Sequence, residues 1–480
     1  MRHGRFTMFV RQFFVKGLAH SSYLLGGSRS CAIVDPQRDI EVYLDAAREM
    51  GFRITHILQT HLHADFVSGH MDLAAATGGE IVAPASAECA FAHRAVQAGD
   101  VVEIDQVALK VLDTPGHTPE HVGYVATDRS RGPSPAAVFC GDTLFVGDVG
   151  RPDLFPGRAR ELASKLYDSL HTQILSLPDH CEVLPAHGAG SLCGRAMSAR
   201  RTSTIGYERL YNAALQIADR EEFIRSLTTD MPPAPDHFAR CSAVNGAGPA
   251  LVSDMPPVRA LPPADFARAA AEPGALMLDV RLYEAFAAMH VPGSWHIDLT
   301  GNFATFAGWL LPPDARVLLV CETDAEAAHA ATLLRRVGID RVEGCLAGSL
   351  FAWAVAGMDL GHVPLLSAEE LNQLARSGGP LQLVDVRAPA EYDQGHIEGA
   401  ANISAPDLRA RHVELDRSLP TALVCSSGHR SSMGCAILKR AGFADVRNVA
   451  GGMAGYGARG WAPACPMCVG PHGPRVASAP

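Results

Sequence analysis

The chain has 480 residues, 48% of them hydrophobic and 19% charged, an ordinary globular composition on a length too great for one core. A net charge of −10 argues against nucleic acid or an anionic membrane as the main partner. No run of about 18 apolar residues is present to span a bilayer, and at roughly 100–200 residues per domain about three domains are expected.

The first stretch, MRHGRFTMFVRQFFVKGLAHSSYLLGG, starts basic, but Arg11, Gln12 and Lys16 interrupt its apolar run and no clear small-residue cleavage site follows. It reads as opening strands rather than a leader. A cytoplasmic location is therefore expected, with the 12 cysteines as thiols and not a disulfide framework. SSYLLGG, SCAIVDP and THILQT read as strands, and IEVYLDAAREMGF as an amphipathic helix ending at Gly51. ALKVLDTPGHT and AAVFCGDTLFVGD read as strands that run into polar loops. Each such strand end carries metal-ligand residue types, where a loop can aim them without disturbing the core.

THLHADFVSGH, residues 60–70, places His61, His63 and Asp65 at alternating positions and follows them with Phe66. DTPGHTPEH adds His117 and His121, CGDTLFVGDVGRPD adds Asp142, and VLPAHGAG adds His187. In order and spacing these pieces resemble the metallo-β-lactamase superfamily. Binuclear members of that superfamily have a histidine where Phe66 stands, and it helps hold a second metal. Its loss leaves Asp65 and His187 too little to bind that metal tightly, so one metal is expected. Two imidazoles and one carboxylate around it would match the triad of non-haem Fe(II) oxygenases, whereas zinc cannot change redox state. Phe66 thus favours one iron and oxidation over two zincs and hydrolysis. His121, His70 and His20 are read as core or supporting residues.

Residues 8–245 resemble persulfide dioxygenases, and HADFVSGH, TPGHTPEH, FCGDTLFVGDVGRPDL and PAHGAG carry the likeness. The resemblance implies an αββα sandwich holding one Fe(II), with zinc as the alternative. It also implies O2-dependent oxidation of a low-molecular-weight persulfide, such as glutathione persulfide, to sulfite. Carried over by motif, the iron ligands are His61, His117 and Asp142, supported by His63, Asp65 and His187. Arg151 and Asp153, in GRPD, fall where the family meets its substrate, and an arginine there suits the carboxylate of a thiol cofactor. Cys193, six residues past His187 and expected near the site mouth, is either an inert loop residue or a sulfur relay. Cys140 is read as packing.

The proline-rich GPALVSDMPPVRALPPADF, residues 248–266, reads as a linker. Beyond it the chain repeats: LMLDVRLYEAFAAMHVPGSWHI parallels QLVDVRAPAEYDQGHIEGAANI, with Asp279 and Asp385, His290 and His396, and Arg341 and Arg447 each offset by 106. Two α/β domains with parallel sheets are expected, joined at GHVPLL. The boundaries are 1–247 for the metal domain, 258–361 and 362–470 for the repeats, and 471–480 for a flexible tail.

TALVCSSGHRSSMGCAILKRAGF reads as a buried strand, a tight loop and a helix. Cys425 ends the strand, Ser426, Ser427, Gly428 and His429 form the loop, and Arg430 adds charge. Loop N–H groups and the helix N-terminus can together cradle a charged sulfur. The pattern resembles rhodaneses, which implies that Cys425, with Arg430 beside it, accepts a sulfane sulfur and passes it to a nucleophile such as sulfite. Asp385, Arg387, Glu391 and His396 are read as support for fold and loop. In the first repeat Cys321 stands opposite Cys425, but Glu322, Asp324 and Glu326 replace the loop residues and would repel an anion, so a packing role is expected. The tail pair Cys465 and Cys468 is read as redox-active or plain surface thiols.

The expected whole is an α/β multidomain enzyme. It would oxidise a persulfide to sulfite and, through Cys425, make thiosulfate, with glutathione or another thiol as co-substrate and sulfide disposal as the purpose. No nucleic acid or membrane partner is expected, and a homo-oligomer is admitted. The rivals are a glyoxalase II-like zinc thioester hydrolase joined to sulfurtransferase modules, and a non-enzymatic sulfane-sulfur carrier.

Overall fold

Alternation of side chains along the strands builds the first unit. The computed structural model describes residues 7–229, 231 and 234–462, and the chain forms two units, residues 1–254 with 335–338, and residues 255–334 with 339–480. In the first unit, β1 (Phe9–Val15), β2 (His20–Gly26), β3 (Ser30–Val34), β4 (Arg53–Leu58), β5 (Glu80–Pro84) and β6 (Arg94–Val96) form one sheet in that order. The second sheet runs in the order β12 (Ser203–Thr204), β11 (Glu182–Pro185), β10 (Ala137–Gly141), β9 (Val122–Asp128), β8 (Val107–Asp113) and β7 (Val101–Ile104).

Because successive side chains leave a strand on opposite faces, each sheet has an inner and an outer apolar face. Tyr23, Leu25, Val34 and Leu58 of the first sheet meet Leu109, Val111, Tyr124 and Phe139 of the second in one core. Leu24, Cys31 and Ile33 point the other way, onto Tyr43, Ala46 and Ala47 of the helix Glu41–Met50. Val125, Val138 and Cys140 likewise pack outward with Leu166 and Phe223, which lie on the helices Ala159–Asp168 and Arg220–Thr228. The result is the expected αββα sandwich. Gly51 closes the first helix in the left-handed conformation at φ 69°, which a glycine adopts without steric cost.

The second unit holds two all-parallel five-stranded sheets. The order in the first is β13 (Arg259–Leu261), β17 (Val342–Leu346), β16 (Arg316–Val320), β14 (Ala275–Asp279), β15 (Trp295–His296). The second repeats it with β18 (Leu365–Leu366), β22 (Val446–Val449), β21 (Thr421–Val424), β19 (Gln382–Asp385) and β20 (Ala401–Asn402). Leu318, Val320 and Leu346 of one sheet, and Val424 and Val449 of the other, are buried as strands covered on both faces require. One expectation is corrected: the stretch read as a linker contains β13, and the helix Pro263–Ala270 begins inside it. Pro262 and Pro263 sit before and at the first turn of that helix, where a missing N–H costs nothing. Cys465, Cys468 and residues 471–480 lie outside the described residues.

Candidate functional site

The loop after β4 delivers His61, and a chain of hydrogen bonds sets its ring. The Thr60 hydroxyl donates to Asp35 Oδ2 at 2.9 Å, so its oxygen accepts from His61 Nδ1, also at 2.9 Å. That leaves the lone pair on Nε2. His117 Nδ1 lies 2.9 Å from the Arg151 carbonyl, an acceptor only, so His117 also turns an unprotonated Nε2 inward. Both nitrogens are buried without a hydrogen-bond partner, 3.9 Å and 3.3 Å from Asp142 Oδ2. One ligand atom from each of His61, His117 and Asp142 lies within 4.8 Å of the others. Burial holds both imidazoles below their ordinary range and therefore neutral. Burial alone would raise the Asp142 carboxyl, but the charge and hydrogen bond of His187 outweigh it and keep it ionised. Two neutral imidazoles with unpartnered Nε2 atoms, converging with a carboxylate, fit a divalent metal.

Close backbone approach makes this convergence feasible. Gly141 sits at φ 51°, and a Cβ there would lie 2.4 Å from His121 Nε2 and 2.6 Å from Thr60 Oγ1. His121 is a support, as expected: its Nε2 accepts the Asp142 N–H at 2.9 Å.

The residues read as supporting divide. His187 Nδ1 lies 2.8 Å from Asp142 Oδ1 and its Nε2 lies 2.8 Å from Asp65 Oδ2. Burial would lower the His187 imidazole, but Asp142 and Asp65 raise it well above its ordinary value. His63 points elsewhere, with Nε2 3.1 Å from Asp35 Oδ1. Phe66 is fully buried, its ring 4.1 Å from that of His20 and 4.5 Å from that of His63. Two placements differ from expectation. Cys193 is 1% exposed, not at a mouth, and forms a second three-donor cluster with Asp65 and His187. Arg151 is buried and its guanidinium grips both oxygens of the partly exposed Asp153 at 2.7 Å, so its charge is matched by a carboxylate.

Asn245 gave no sequence signal. Its Nδ2 donates to the carbonyls of His63 and Phe66, both at 2.8 Å, and its Oδ1 accepts the Ser68 N–H. It pins the ligand loop from 177 to 182 residues away, a distance over which no local pattern operates.

In the second unit, Cys425 follows β21 and is 1% exposed. Its sulfur accepts the Gly428 N–H at 3.1 Å and the Ser431 hydroxyl at 3.3 Å. Gly428, at φ 106°, turns the loop into the helix His429–Arg440. Arg430 is placed differently from expectation: it binds Glu391 through two bonds of 2.6 and 2.8 Å and Ser426 Oγ at 2.7 Å, so its charge is matched by a carboxylate. In the first repeat no equivalent cradle forms. The Glu326 carboxylate takes the N–H groups of Glu322 and Thr323 at 2.8 and 3.3 Å. The Cys321 thiol is pushed up by its contact with Cys345, then by burial, with Glu326 and Asp324 contributing, while Glu322 turns to Arg281.

A two-sheet sandwich with metal donors at its strand ends, followed by two parallel-sheet domains of which one keeps a sulfur cradle, defines the class of protein. The Metallo-beta-lactamase superfamily matches residues 15–187, and the Rhodanese-like domain matches residues 262–356 and 367–459. Mitochondrial persulfide dioxygenase ETHE1 of Bos taurus is 31% identical over 48% of this chain and 84% of its own. A hydroxyacylglutathione hydrolase of Rhodospirillum rubrum is 40% identical over 33% of this chain and 57% of its own. A solved metallo-beta-lactamase from Staphylococcus aureus superposes with a TM-score of 0.64 at 33% identity, covering 71% of this chain and 99% of that one. The chain belongs to the metallo-beta-lactamase superfamily and carries tandem rhodanese-like domains.

Proposed function

We propose that the first unit oxidises a low-molecular-weight thiol persulfide to sulfite at one Fe(II), and that Cys425 moves sulfane sulfur to sulfite to make thiosulfate. The observation that carries this reading is the two-imidazole, one-carboxylate cluster of His61, His117 and Asp142, with a fully buried Phe66 packed on His63. Fe(II) held by two imidazoles and a carboxylate would supply O2 chemistry that zinc, without a redox change, cannot. The chain's own residues do the rest. Asp35 and Thr60 fix the His61 ring, the Arg151 carbonyl fixes His117, and Phe66 fills the space beside His63 and His20 with hydrocarbon. Overall, persulfide, O2 and water give thiol, sulfite and two protons. Sulfite then attacks the outer sulfur held on Cys425, and the S–S electron pair returns to the Cys425 sulfur. A cytoplasmic location and sulfide disposal are part of the proposal; among the described residues no helix is long and apolar enough to cross a membrane.

A second reading, a two-metal thioester hydrolase, is favoured by the Asp65, His187 and Cys193 cluster. The test is one preparation given glutathione persulfide or S-lactoylglutathione, with sulfite, thiosulfate and free thiol quantified. Sulfite and thiosulfate from the persulfide, shifting to sulfite alone in Cys425→Ser, support the proposal. Thiol release from the thioester with no oxidised sulfur would replace it with the hydrolase.

A further inference from the structure

His61 and His117 come from two different loops, yet the peptide groups on either side of His61 are both tied to the loop that carries His117. On one side the Thr60 carbonyl accepts the Val122 N–H at 2.9 Å. On the other the Leu62 N–H donates to Oε1 of Glu120 at 3.0 Å. Glu120 is 7% exposed and stands in the TPGHTPEH stretch between His117 and His121. Its loop is closed by the Thr114 N–H, which donates to the His121 carbonyl at 2.9 Å. The same loop is pressed onto the helix Ala159–Asp168, where a Cβ at Gly116 would lie 2.4 Å from Cβ of Leu166. The Glu120 carboxylate therefore projects from a fixed support.

Leu62 is anchored a second time. Its carbonyl accepts the Ser242 hydroxyl at 2.9 Å, and Ser242 lies on the helix His237–Ala247, three residues before Asn245. Residues three apart share a helix face, so one face of this helix serves the carbonyls of Leu62, His63 and Phe66. With its N–H and its carbonyl both engaged, the Leu62 backbone cannot turn without breaking one of these bonds, and the His61–Leu62 peptide is fixed with it. The Thr60 hydroxyl decides which nitrogen of His61 faces the cluster. Where that nitrogen lies depends on the backbone at residue 61, and that backbone is bracketed by Val122 and Glu120.

We propose that Glu120 is a positioning residue for the metal: by holding the Leu62 N–H it fixes the His61 backbone against the His117 loop and keeps the two Nε2 atoms converged, with Ser242 as the opposing anchor. Both act through Leu62 and neither is a ligand. Small displacements matter here, because a metal–imidazole bond of about 2.0–2.1 Å leaves little room for a ring that shifts. Glutamine at this position would accept the same N–H through its amide oxygen. Alanine would leave the N–H without its partner, and the peptide could find another only by rotating and carrying His61 with it.

The inference rests on His61, His117 and Asp142 holding a metal, and the experiment separates the two. The metal-free full chain is titrated with cobalt(II) alone. Competition with a chelator reads the affinity, and the visible absorption of the bound ion reads the geometry of its ligands. For Glu120→Ala the dissociation constant is expected to rise about tenfold, with the visible bands shifted or weakened. Glu120→Gln is expected to match the unsubstituted chain in both readouts. A role in packing alone would lower the melting temperature of Glu120→Ala and leave the bands where they were. Far-UV spectra confirm that each variant is folded. Should Glu120→Ala not fold, Ser242→Ala, which removes the opposing anchor, takes its place, with a several-fold loss of affinity expected. No cobalt bound by the unsubstituted chain overturns the metal site and this inference with it. Unchanged affinity and bands in folded Glu120→Ala, or in Ser242→Ala where it takes that place, overturn the inference alone. So does a Glu120→Gln that loses as much as Glu120→Ala.

Discussion

Thr60 shows how a residue that touches no metal can set a metal site. Its hydroxyl is spent on Asp35, which forces His61 to donate from Nδ1 and face the cluster with Nε2. Thr60→Val keeps the shape and removes that constraint, so metal affinity is expected to fall about 10-fold to 100-fold, measured by competition with a chelator, with little change in melting temperature. Phe66 is the complementary case. It fills the space beside His63 and His20 with hydrocarbon, so Phe66→His is expected to raise the bound metal from one towards two per chain by elemental analysis, using Asp65 and His187. A chain that already holds two metals would show that Cys193 has replaced the missing histidine. At this scale the donors were legible in the sequence because histidine and aspartate beside glycine turns have few other uses. Their supports were not: Asn245 and the Arg151–Asp153 pair depend on contacts that only folding creates.

Among the elements, β21, its loop and the helix His429–Arg440 form one device. The sulfur sits on N–H and O–H donors, while Arg430 pairs with Glu391. Glu391→Gln removes the carboxylate charge and leaves Arg430 poorly compensated. A fully buried pair broken in this way costs about 3–5 kcal/mol; because the Glu391 side chain is 22% exposed, a loss nearer about 2 kcal/mol is expected in urea unfolding. The strand–loop–helix order was legible from one apolar run, one cysteine and one glycine. Glu391 was legible as support for the loop, but its pairing with Arg430 was not, since a glutamate 39 residues upstream carries no mark of its partner. The reading of 248–266 as linker failed for a related reason: prolines that mark irregular chain also mark the first turn of a helix, and Pro263 is the latter.

For the whole molecule, buried histidines set the response to acid. Burial lowers His70 to about 3 and His237 to about 4 from an ordinary value of 6.5. In the unfolded chain both titrate near 6.5, so between that value and about 4 the unfolded state binds protons that the folded state refuses. The stabilisation from their neutral forms is complete above about pH 6.5 and is lost as pH falls, at about 1.4 kcal/mol per pH unit for each group inside the window. His187, raised in the metal-free protein, works oppositely and contributes stability that is complete below 6.5 and lost as pH rises. Melting of the metal-free chain is therefore expected to drop steeply from pH 6.5 to pH 4.5; a flat profile over that range would mean these histidines are hydrated. Fold class and tandem repeat were legible at this scale because hydrophobic alternation and a fixed offset of 106 extend over many residues. The hold of Glu120 and Ser242 on Leu62 was not, because contacts across 58 and 180 residues leave no local pattern.

Oxidation at a single metal is the step on which the proposed function turns. O2 consumption should be followed in anaerobically prepared, Fe(II)-loaded protein given glutathione persulfide. Uptake that depends on the persulfide, matches the sulfite and thiosulfate formed and disappears in His117→Ala is the expected result. No uptake by a chain that holds its iron and folds normally would contradict it.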